Sequence, residues 1–354
     1  MGREFLMIKN TPILEIYNYS CKILRYDLLP IGLRYTDICY DDVMHSWLER
    51  RNMSLGKSNA KKLMAAFGIP QGNQFQIARR FHFASMTDSY WIKEDGEDIT
   101  WEDINFRTNP INKLVPDIAL YGNGVRLTHE QKIYSPEFTT GGVAAKAWIQ
   151  TPEGIYLYKV GRKELGASAV LERLGLVHVA YEPCARQEMD AYTTPERQEK
   201  IQRQGELVVK SPLIATEALS IVSFEDYAIY CDRHGINPYT EVLTNNAKAF
   251  HEMILADYIL GNYDRHGCNY GFLMDNNTGA LLGLHPLMDH DDAFSNDDLY
   301  TQTLEKDILM ADAVKESLQH LTIDFTPLLA MDKPETLTVE EWSGVMYRTK
   351  RCVK

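Results

Sequence analysis

The sequence predicts an α+β protein with two lobes and an additional N-terminal α/β module. Three observations indicate this fold class. The first 130 residues mix short strand-like runs with helical segments, the middle of the chain is rich in strands, and the last part is rich in helices. A stretch rich in Asn, Pro and Gly at residues 108–124 separates the first part from the second. We therefore predict an accessory module over residues 1–130, a strand-bearing lobe over 131–215 and a helical lobe over 216–354.

The composition excludes several classes of protein. With 45% hydrophobic and 24% charged residues, the chain has the composition of a globular protein, and no apolar run reaches the length of a membrane span. Its six cysteines show no C-x-x-C pair, which argues against structural zinc and, with no secretory signal visible, predicts a cytoplasmic location. A net charge of −12 disfavours direct binding to nucleic acid. We expect neither a membrane nor a nucleic acid as a direct partner.

The N-terminal module contains one tripeptide with a second interpretation. We predict a hairpin of strands 13–17 and 21–24, and helices at 41–50 and 58–67. Gly56-Lys57-Ser58 resembles the end of a phosphate-binding Walker A loop, but Arg51 stands where that loop has its first glycine. We therefore interpret Ser58 as the N-cap of the following helix.

The strand-bearing lobe contains a loop with two adjacent glycines, Gly141 and Gly142. We predict strands at 143–150 and 155–160 and a helix at 162–174. Adjacent glycines let backbone N–H groups approach a phosphate closely, and a strand lysine can neutralise its charge. Lys159 is our candidate for this lysine, with Lys146 as the alternative. The candidates for a helix glutamate that pairs with the lysine are Glu164, which we prefer, and Glu172.

The strongest signal is the hexapeptide D-R-H-G-C-N at 264–269. Strands are predicted at 270–274 and 280–284, and the tetrapeptide P-L-M-D at 286–289 follows them. In phosphoryl-transfer centres an Asp accepts a hydroxyl proton, an Asn five residues later binds Mg²⁺, and an Asp beyond a short hairpin binds Mg²⁺ again. Asp264, Asn269 and Asp289 match this order and spacing. One of the neighbouring acids Asp291 and Asp292 is a candidate to assist Asp289.

The pattern D-R-H-G-x-N occurs a second time, at 232–237. This copy ends a predicted helix that begins at Ser223, and no hairpin with a following Asp comes after it, so we interpret it as a helix terminus. A further helix is predicted from Thr240 to Tyr258, and Asp257 lies in its apolar part. A buried carboxylate needs a partner, and Arg265 is the natural one.

Together these motifs resemble those of the HipA-like serine/threonine kinases of bacteria. The resemblance covers about residues 131–300 and rests on Asp257-Tyr258, Asn262-x-Asp264-Arg265-His266-x-x-Asn269-Tyr270-Gly271-Phe272, Pro286-Leu287-Met288-Asp289, and Thr139-Thr140-Gly141-Gly142 with Lys146 and Lys159. It implies a two-lobed, protein-kinase-like fold that uses ATP and Mg²⁺ to phosphorylate a Ser or Thr of a protein substrate. It also implies that a small DNA-binding antitoxin is a candidate partner, because some members are the toxins of toxin–antitoxin systems.

The resemblance, together with the spacing, assigns a role to each candidate residue. The candidate catalytic residues are Asp264, Arg265 and His266; the candidate ATP-binding residues are Thr140, Gly141, Gly142, Lys146, Lys159 and Glu164; the candidate Mg²⁺ ligands are Asn269 and Asp289. Two alternatives stay open. A small-molecule or lipid kinase could use the same centre, because phosphoinositide kinases share the D-R-H-x-x-N signature. A pseudokinase that binds ATP without catalysis is the other, although the complete set of polar residues argues against it.

Overall fold

The computed structural model describes residues 2–35, 43–70, 74–124, 135–297, 300–301, 303 and 308–353. These residues form two compact units. The first unit lies within 1–160, 184–221 and 274–280, and the second within 161–183, 222–273 and 281–354. The predicted start of a helix at residue 41 lies outside the described residues.

Strands and helices are interspersed along the described chain. The strands are β1 (Glu4–Ile8), β2 (Thr11–Tyr17), β3 (Ser20–Ile23), β4 (Tyr90–Glu94), β5 (Lys146–Thr151), β6 (Gly154–Val160), β7 (Glu182–Pro183), β8 (Val208–Pro212), β9 (Leu219–Ser223), β10 (Gly271–Asp275), β11 (Leu281–Leu284), β12 (Tyr300–Thr301) and β13 (Ile308–Leu309). The helices are α1 (His45–Arg50), α2 (Ala60–Ala66), α3 (Gln74–Arg80), α4 (Trp101–Ile104), α5 (Val115–Tyr121), α6 (Lys163–Arg173), α7 (Arg186–Met189), α8 (Pro195–Arg203), α9 (Phe224–Arg233), α10 (Pro238–Asn245), α11 (Ala247–Leu260), α12 (Met310–Ser317), α13 (Thr326–Leu329) and α14 (Val339–Cys352). In the part of the chain that the structure describes, no helix has the length and apolar character that crossing a bilayer requires.

The first unit contains two antiparallel strand arrangements. In one sheet the strand order is β3-β2-β1-β4, and the predicted hairpin is confirmed because Tyr17 of β2 pairs with Ser20 of β3. In the other, β6 pairs with both β5 and β8. The register of β5 and β6 sets Lys146 directly opposite Lys159. Because paired residues of an antiparallel ladder point to the same face, both lysines belong to one face of this sheet.

The core of the first unit runs across the predicted boundary at residue 130. Phe138, Ile149 and Tyr158 of the predicted strand-bearing lobe share one hydrophobic cluster with Leu63 and Ile118 of the predicted accessory module. The two units differ from the three predicted modules in a second way. Residues 161–183 belong to the second unit, whereas the prediction grouped them with the strands before them. Packing between segments distant in sequence decides which segments fold together.

Helix α11 forms the centre of the second unit. All its residues from Met253 to Leu260 are buried, and it packs against α6, α10, α12 and α14. The single helix predicted from Thr240 to Tyr258 was wrong, because the chain leaves helical geometry at Asn246, with φ −136° and ψ 25°. Asn is prone to such breaks because its side chain competes for backbone hydrogen bonds. The chain then continues as α11 to Leu260.

Candidate active site

The loop after α11 is organised around Arg265. Gly261 ends the helix in the left-handed conformation, at φ 62°, and the hexapeptide 264–269 then leads into β10. The Arg265 side chain is 2% exposed. Its Nη1 atom donates hydrogen bonds to the carbonyl oxygens of Asn269 at 2.8 Å and Met288 at 2.6 Å. One side chain therefore joins the end of the loop to the residue that precedes Asp289.

The predicted pairing of Asp257 with Arg265 is confirmed. Arg265 Nε lies 3.0 Å from Asp257 Oδ2, and Nη2 lies 3.0 Å from Oδ1. Asn262 Nδ2 donates a further hydrogen bond of 2.8 Å to the same carboxylate. Burial lowers the pKa of Arg265 most strongly, but Asp257, with smaller contributions from Asp289 and Glu164, opposes it, and the net pKa is raised. The pair is thus a charged, buried connection between α11 and the loop.

Asp264 lies at the open side of this loop. Its carbonyl oxygen accepts hydrogen bonds from the backbone N–H of His266 at 2.9 Å and from Asn269 Nδ2 at 2.8 Å. The side chains of Asp264 and His266 are partly exposed, with His266 Nε2 3.8 Å from Asp264 Oδ2. Burial raises the pKa of Asp264 most, His266 opposes this rise, and nearby acids including Asp292 and Asp289 add to it. A carboxylate with a raised pKa is a stronger proton acceptor.

Asp289 follows the β10–β11 hairpin and has left-handed backbone geometry, at φ 62°. Asp tolerates this conformation better than most residues do. One carboxylate oxygen from each of Glu164, Asp289 and Asp291 lies within 4.8 Å of the others. Glu164 is fully buried, and its Oε2 accepts a hydrogen bond of 3.1 Å from the backbone N–H of His290. The first residues of α6 and the segment after Asp289 thus form one acidic cluster.

The glycine loop lies in the first unit, next to Lys146. Gly142 has φ 80°, and a Cβ atom at this position would collide with Lys146 Nζ. A Cβ atom at Gly141 would meet no atom within 4 Å, so the space beside this residue is open. The Thr140 hydroxyl accepts a hydrogen bond of 2.9 Å from Trp148 Nε1 and donates one of 2.7 Å to the carbonyl oxygen of Pro136. Its side chain therefore stabilises the loop from within.

The predicted site residues are divided between the two units. The second unit contains Asp264, Arg265, His266, Asn269, Asp289 and Glu164; the first contains Thr140, Gly141, Gly142, Lys146 and Lys159. The pairing of Glu164 with Lys159, and the roles of all these residues, stay predictions. Sequence reasoning did not single out Asp291 among the acids after Asp289, because only the folded chain shows which of them turns toward Glu164.

The second copy of the hexapeptide is a helix terminus, as predicted. Asp232 belongs to the last turn of α9, and Gly235 follows it with φ 66°. The Asn237 side chain caps α10, because its Oδ1 accepts hydrogen bonds from the backbone N–H groups of Tyr239 at 2.9 Å and Thr240 at 3.0 Å. Asp232 thus lies at the end of α9, and Asn237 caps the start of α10.

Comparison with known proteins identifies the fold. No protein-family model and no curated protein matches the chain. One similar solved structure is the Shewanella oneidensis MR-1 toxin–antitoxin system HipA, HipB and its operator DNA complex, with 12% identity, 99% of this chain and 96% of that chain covered, and a TM-score of 0.55. Another is the Helicobacter pylori proinflammatory kinase CtkA, with 17% identity, 58% and 89% coverage, and a TM-score of 0.41.

The likeness to the first of these structures extends over nearly the whole chain. It shows that the chain has a HipA-like, kinase-like α+β fold, which confirms the predicted fold class. An identity of 12% shows the fold alone. The activity must therefore be argued from the site.

Proposed function

We propose that this chain is an ATP- and Mg²⁺-dependent kinase that phosphorylates a Ser or Thr of a protein substrate. The observation that carries the proposal is that Arg265 binds two segments of the chain at once. Its Nη1 atom bonds the carbonyl oxygens of Asn269 and Met288, so it ties the loop of Asp264 and Asn269 to the residue before Asp289. A proton acceptor and metal-binding side chains held on two adjoining segments are what phosphoryl transfer requires.

In this proposal Asp264 orients the acceptor hydroxyl and takes its proton. Its partial exposure gives an acceptor access, and its raised pKa increases its strength as a base. Arg265 does not reach the reactants but holds the loop. His266, whose Nε2 lies 3.8 Å from the Asp264 carboxylate, orients that carboxylate at the open side.

The acidic cluster supports the assignment of a hard divalent cation. Three carboxylate oxygens within 4.8 Å of one another match the oxygen ligands that Mg²⁺ prefers. We assign Asn269 and Asp289 as ligands and add Asp291 as a further carboxylate within reach. Bound Mg²⁺ would neutralise charge on the phosphate oxygens. Glu164, buried beside these acids, fixes the backbone of His290 and thereby the segment that carries Asp289.

The paired lysines support binding of the nucleotide phosphates. Lys146 and Lys159 stand opposite each other on neighbouring strands, with exposures of 6% and 2%. Lys146 Nζ lies beside Gly142, and backbone N–H groups of Gly141 and Gly142 can also bind phosphate. The proposal thus assigns nucleotide binding to residues 131–215 and the catalytic loop to residues 216–354.

The same proposal includes a toxin role, and the likeness to one solved structure supports it. The similar Shewanella HipA belongs to a toxin–antitoxin system and was solved with HipB and operator DNA. We propose that this chain likewise acts as a toxin and is held by a small DNA-binding antitoxin. The partner would then make the contact with DNA, which agrees with the net charge of −12 of this chain.

The decisive test compares two Asp→Asn variants in the same hexapeptide context. Asp264→Asn should lower phosphoryl transfer by about 10²–10⁴-fold, because it removes the base. Asp232→Asn, in the second copy, should leave transfer unchanged. The measurement is incorporation of radiolabel from γ-labelled ATP into cellular proteins, with phosphopeptide mass spectrometry to identify the acceptors. Equal transfer by wild type and Asp264→Asn would refute the assignment.

Nucleotide titrations separate the metal ligand from the base. Asp289→Ala should weaken Mg·ATP binding, while Asp264→Asn should retain it, because a base acts mainly in the transition state. Equal losses of nucleotide affinity would show that these roles are misassigned. A wild-type protein that binds Mg·ATP but transfers no phosphate would be a pseudokinase. Transfer only to added small molecules or lipids would identify a small-molecule or lipid kinase.

A further inference from the structure

The polypeptide segment 53–58 lies alongside residues 138–143, which include the glycine loop. The backbone N–H of Met53 donates a hydrogen bond of 2.8 Å to the carbonyl oxygen of Phe138. The backbone N–H of Ser58 donates one of 2.8 Å to the carbonyl oxygen of Val143. The two segments are therefore bonded at both ends of a stretch that includes Gly141 and Gly142.

Lys57 bonds the same stretch between these two ends. Its side chain is buried, with 3% of the residue exposed, and Nζ lies 3.1 Å from the carbonyl oxygen of Glu137 and 3.4 Å from that of Thr140. Lys57 thus binds the residue that immediately precedes Gly141. A buried ammonium group that donates to main-chain carbonyls restrains the backbone directly, because it does not depend on the rotamers of partner side chains.

The Glu137 carboxylate connects this contact to strand β5. Its Oε1 accepts a hydrogen bond of 2.9 Å from the backbone N–H of Trp148, and its Oε2 accepts one of 2.8 Å from the Ser135 hydroxyl. Trp148 lies two residues after Lys146. Lys57, the loop and the strand that carries Lys146 therefore form one continuous polar network in the interior of the first unit.

We propose that Lys57 is a positioning residue for the nucleotide: it fixes the backbone of the Gly141–Gly142 loop and thereby sets the affinity for the phosphate chain. This inference rests on the proposed function and extends it, because it gives the N-terminal part of the chain a role in nucleotide binding. A loop held in its binding conformation before the ligand arrives loses less entropy on binding. Backbone N–H groups can bind phosphate strongly only when they are oriented in advance.

The buried position of Lys57 also changes the pKa of its amino group. The pKa of Lys57 is lowered to about 7, because burial lowers it most, the charge of Lys146 lowers it as well, and Glu137 opposes both effects only in part. The structure thus keeps a lysine in the interior although burial disfavours its charge. Burying an amino group is costly unless it is hydrogen-bonded, and for Lys57 the carbonyl oxygens of Glu137 and Thr140 accept these hydrogen bonds.

The test uses Lys57→Met, which keeps the length and packing of the side chain but removes its donors. The matched control is Lys62→Met, because Lys62 Nζ also donates to a backbone carbonyl of the same unit, that of Gly122, at 2.6 Å, but is exposed. We expect Lys57→Met to weaken Mg·ATP binding by about tenfold or more and to leave adenosine binding unchanged. Lys62→Met should bind both ligands as wild type does. Lys57→Arg should restore part of the ATP affinity.

Hydrogen exchange gives a readout that does not need the nucleotide. In Lys57→Met, amide protection should fall selectively in residues 137–143, while the rest of the first unit exchanges as in wild type. ATP and adenosine affinities that fall together, or protection lost throughout the unit, would show a general structural role and overturn the inference. Wild-type ATP affinity in Lys57→Met would also overturn it. A wild-type protein that binds no Mg·ATP would instead refute the proposed function.

Discussion

Replacing Asp257 by Ala tests whether the loop at residues 264–269 depends on a buried ion pair. The side chains of Asp257 and Arg265 are 4% and 2% exposed. The substitution removes the acceptor of Arg265 Nε and Nη2, both at 3.0 Å, and of Asn262 Nδ2 at 2.8 Å. The guanidinium group then stays buried without the charge that compensates it.

The expected loss of stability follows from these contacts. Removing one partner of a buried ion pair costs about 3–5 kcal/mol. Arg265 keeps its bonds to the carbonyl oxygens of Asn269 and Met288, so we expect Asp257→Ala to lie near the lower end, at about 3 kcal/mol. Asp312→Ala is the control, since its ion pair with Lys315 is exposed and should contribute less than about 1 kcal/mol.

Urea denaturation followed by circular dichroism measures the free energy of unfolding. Hydrogen exchange of α11 and of the loop shows whether the loss arises in the second unit. The double variant Asp257→Ala with Arg265→Met should be less destabilised than the sum of the two single variants, because it leaves no buried charge unpaired. A free energy for Asp257→Ala within about 1 kcal/mol of wild type would refute the reasoning.

Three further predictions concern helix capping, pH and the glycine loop. Asn237→Ala should lower the free energy of unfolding by about 1 kcal/mol, because it removes the N-cap of α10, and it should leave phosphoryl transfer intact. A loss of transfer in this variant would show that the second hexapeptide takes part in the reaction. The pKa of His285 is lowered from 6.5 to about 4, mainly by burial. The unfolded state therefore takes up a proton first as the pH falls below 6.5, and the free energy of unfolding should drop by up to about 3 kcal/mol as the pH approaches 4. His285→Gln should flatten this dependence in urea titrations at several pH values, and an unchanged slope would contradict it. Gly142→Ala should weaken ATP binding about tenfold, because its Cβ would displace Lys146 and its φ of 80° disfavours Ala; unchanged titrations would exclude a constraint there.

The evidence for the candidate loop at 264–269 is local in the sequence, and the roles of its residues stay predictions. Asp264, Asn269 and Asp289 lie within one loop and one hairpin, so spacing alone places them near each other. The partner of Asp257 could be predicted as well, since a carboxylate in an apolar helix face requires a donor and Arg265 is eight residues away. In both cases the residues concerned lie close together in the sequence.

The boundaries of the folding units depended on information that is not local. Phe138 and Ile149 pack with Leu63 and Ile118, and nothing in composition or periodicity shows that these segments share a core. The stretch at 108–124 has the composition of a linker, yet it includes α5, whose residues Val115 to Leu120 are all buried. Tertiary packing overrides local preference there, because a short helix gains its stability from the surface it buries.

Lys57 shows most clearly what local patterns miss. The spacing of the glycines argued against a Walker A loop, and the remaining interpretation made Ser58 a helix cap. The cap was wrong, since α2 begins at Ala60 with Asn59 in the left-handed conformation, at φ 63°. A lysine is mostly exposed in proteins, and the carbonyl of Glu137 that Lys57 binds is 80 residues away. Its burial therefore follows only from the docking of segment 53–58 on the loop. Because Lys57 bonds the loop to which we assign the nucleotide phosphates, the N-terminal part of the chain belongs to the proposed ATP site.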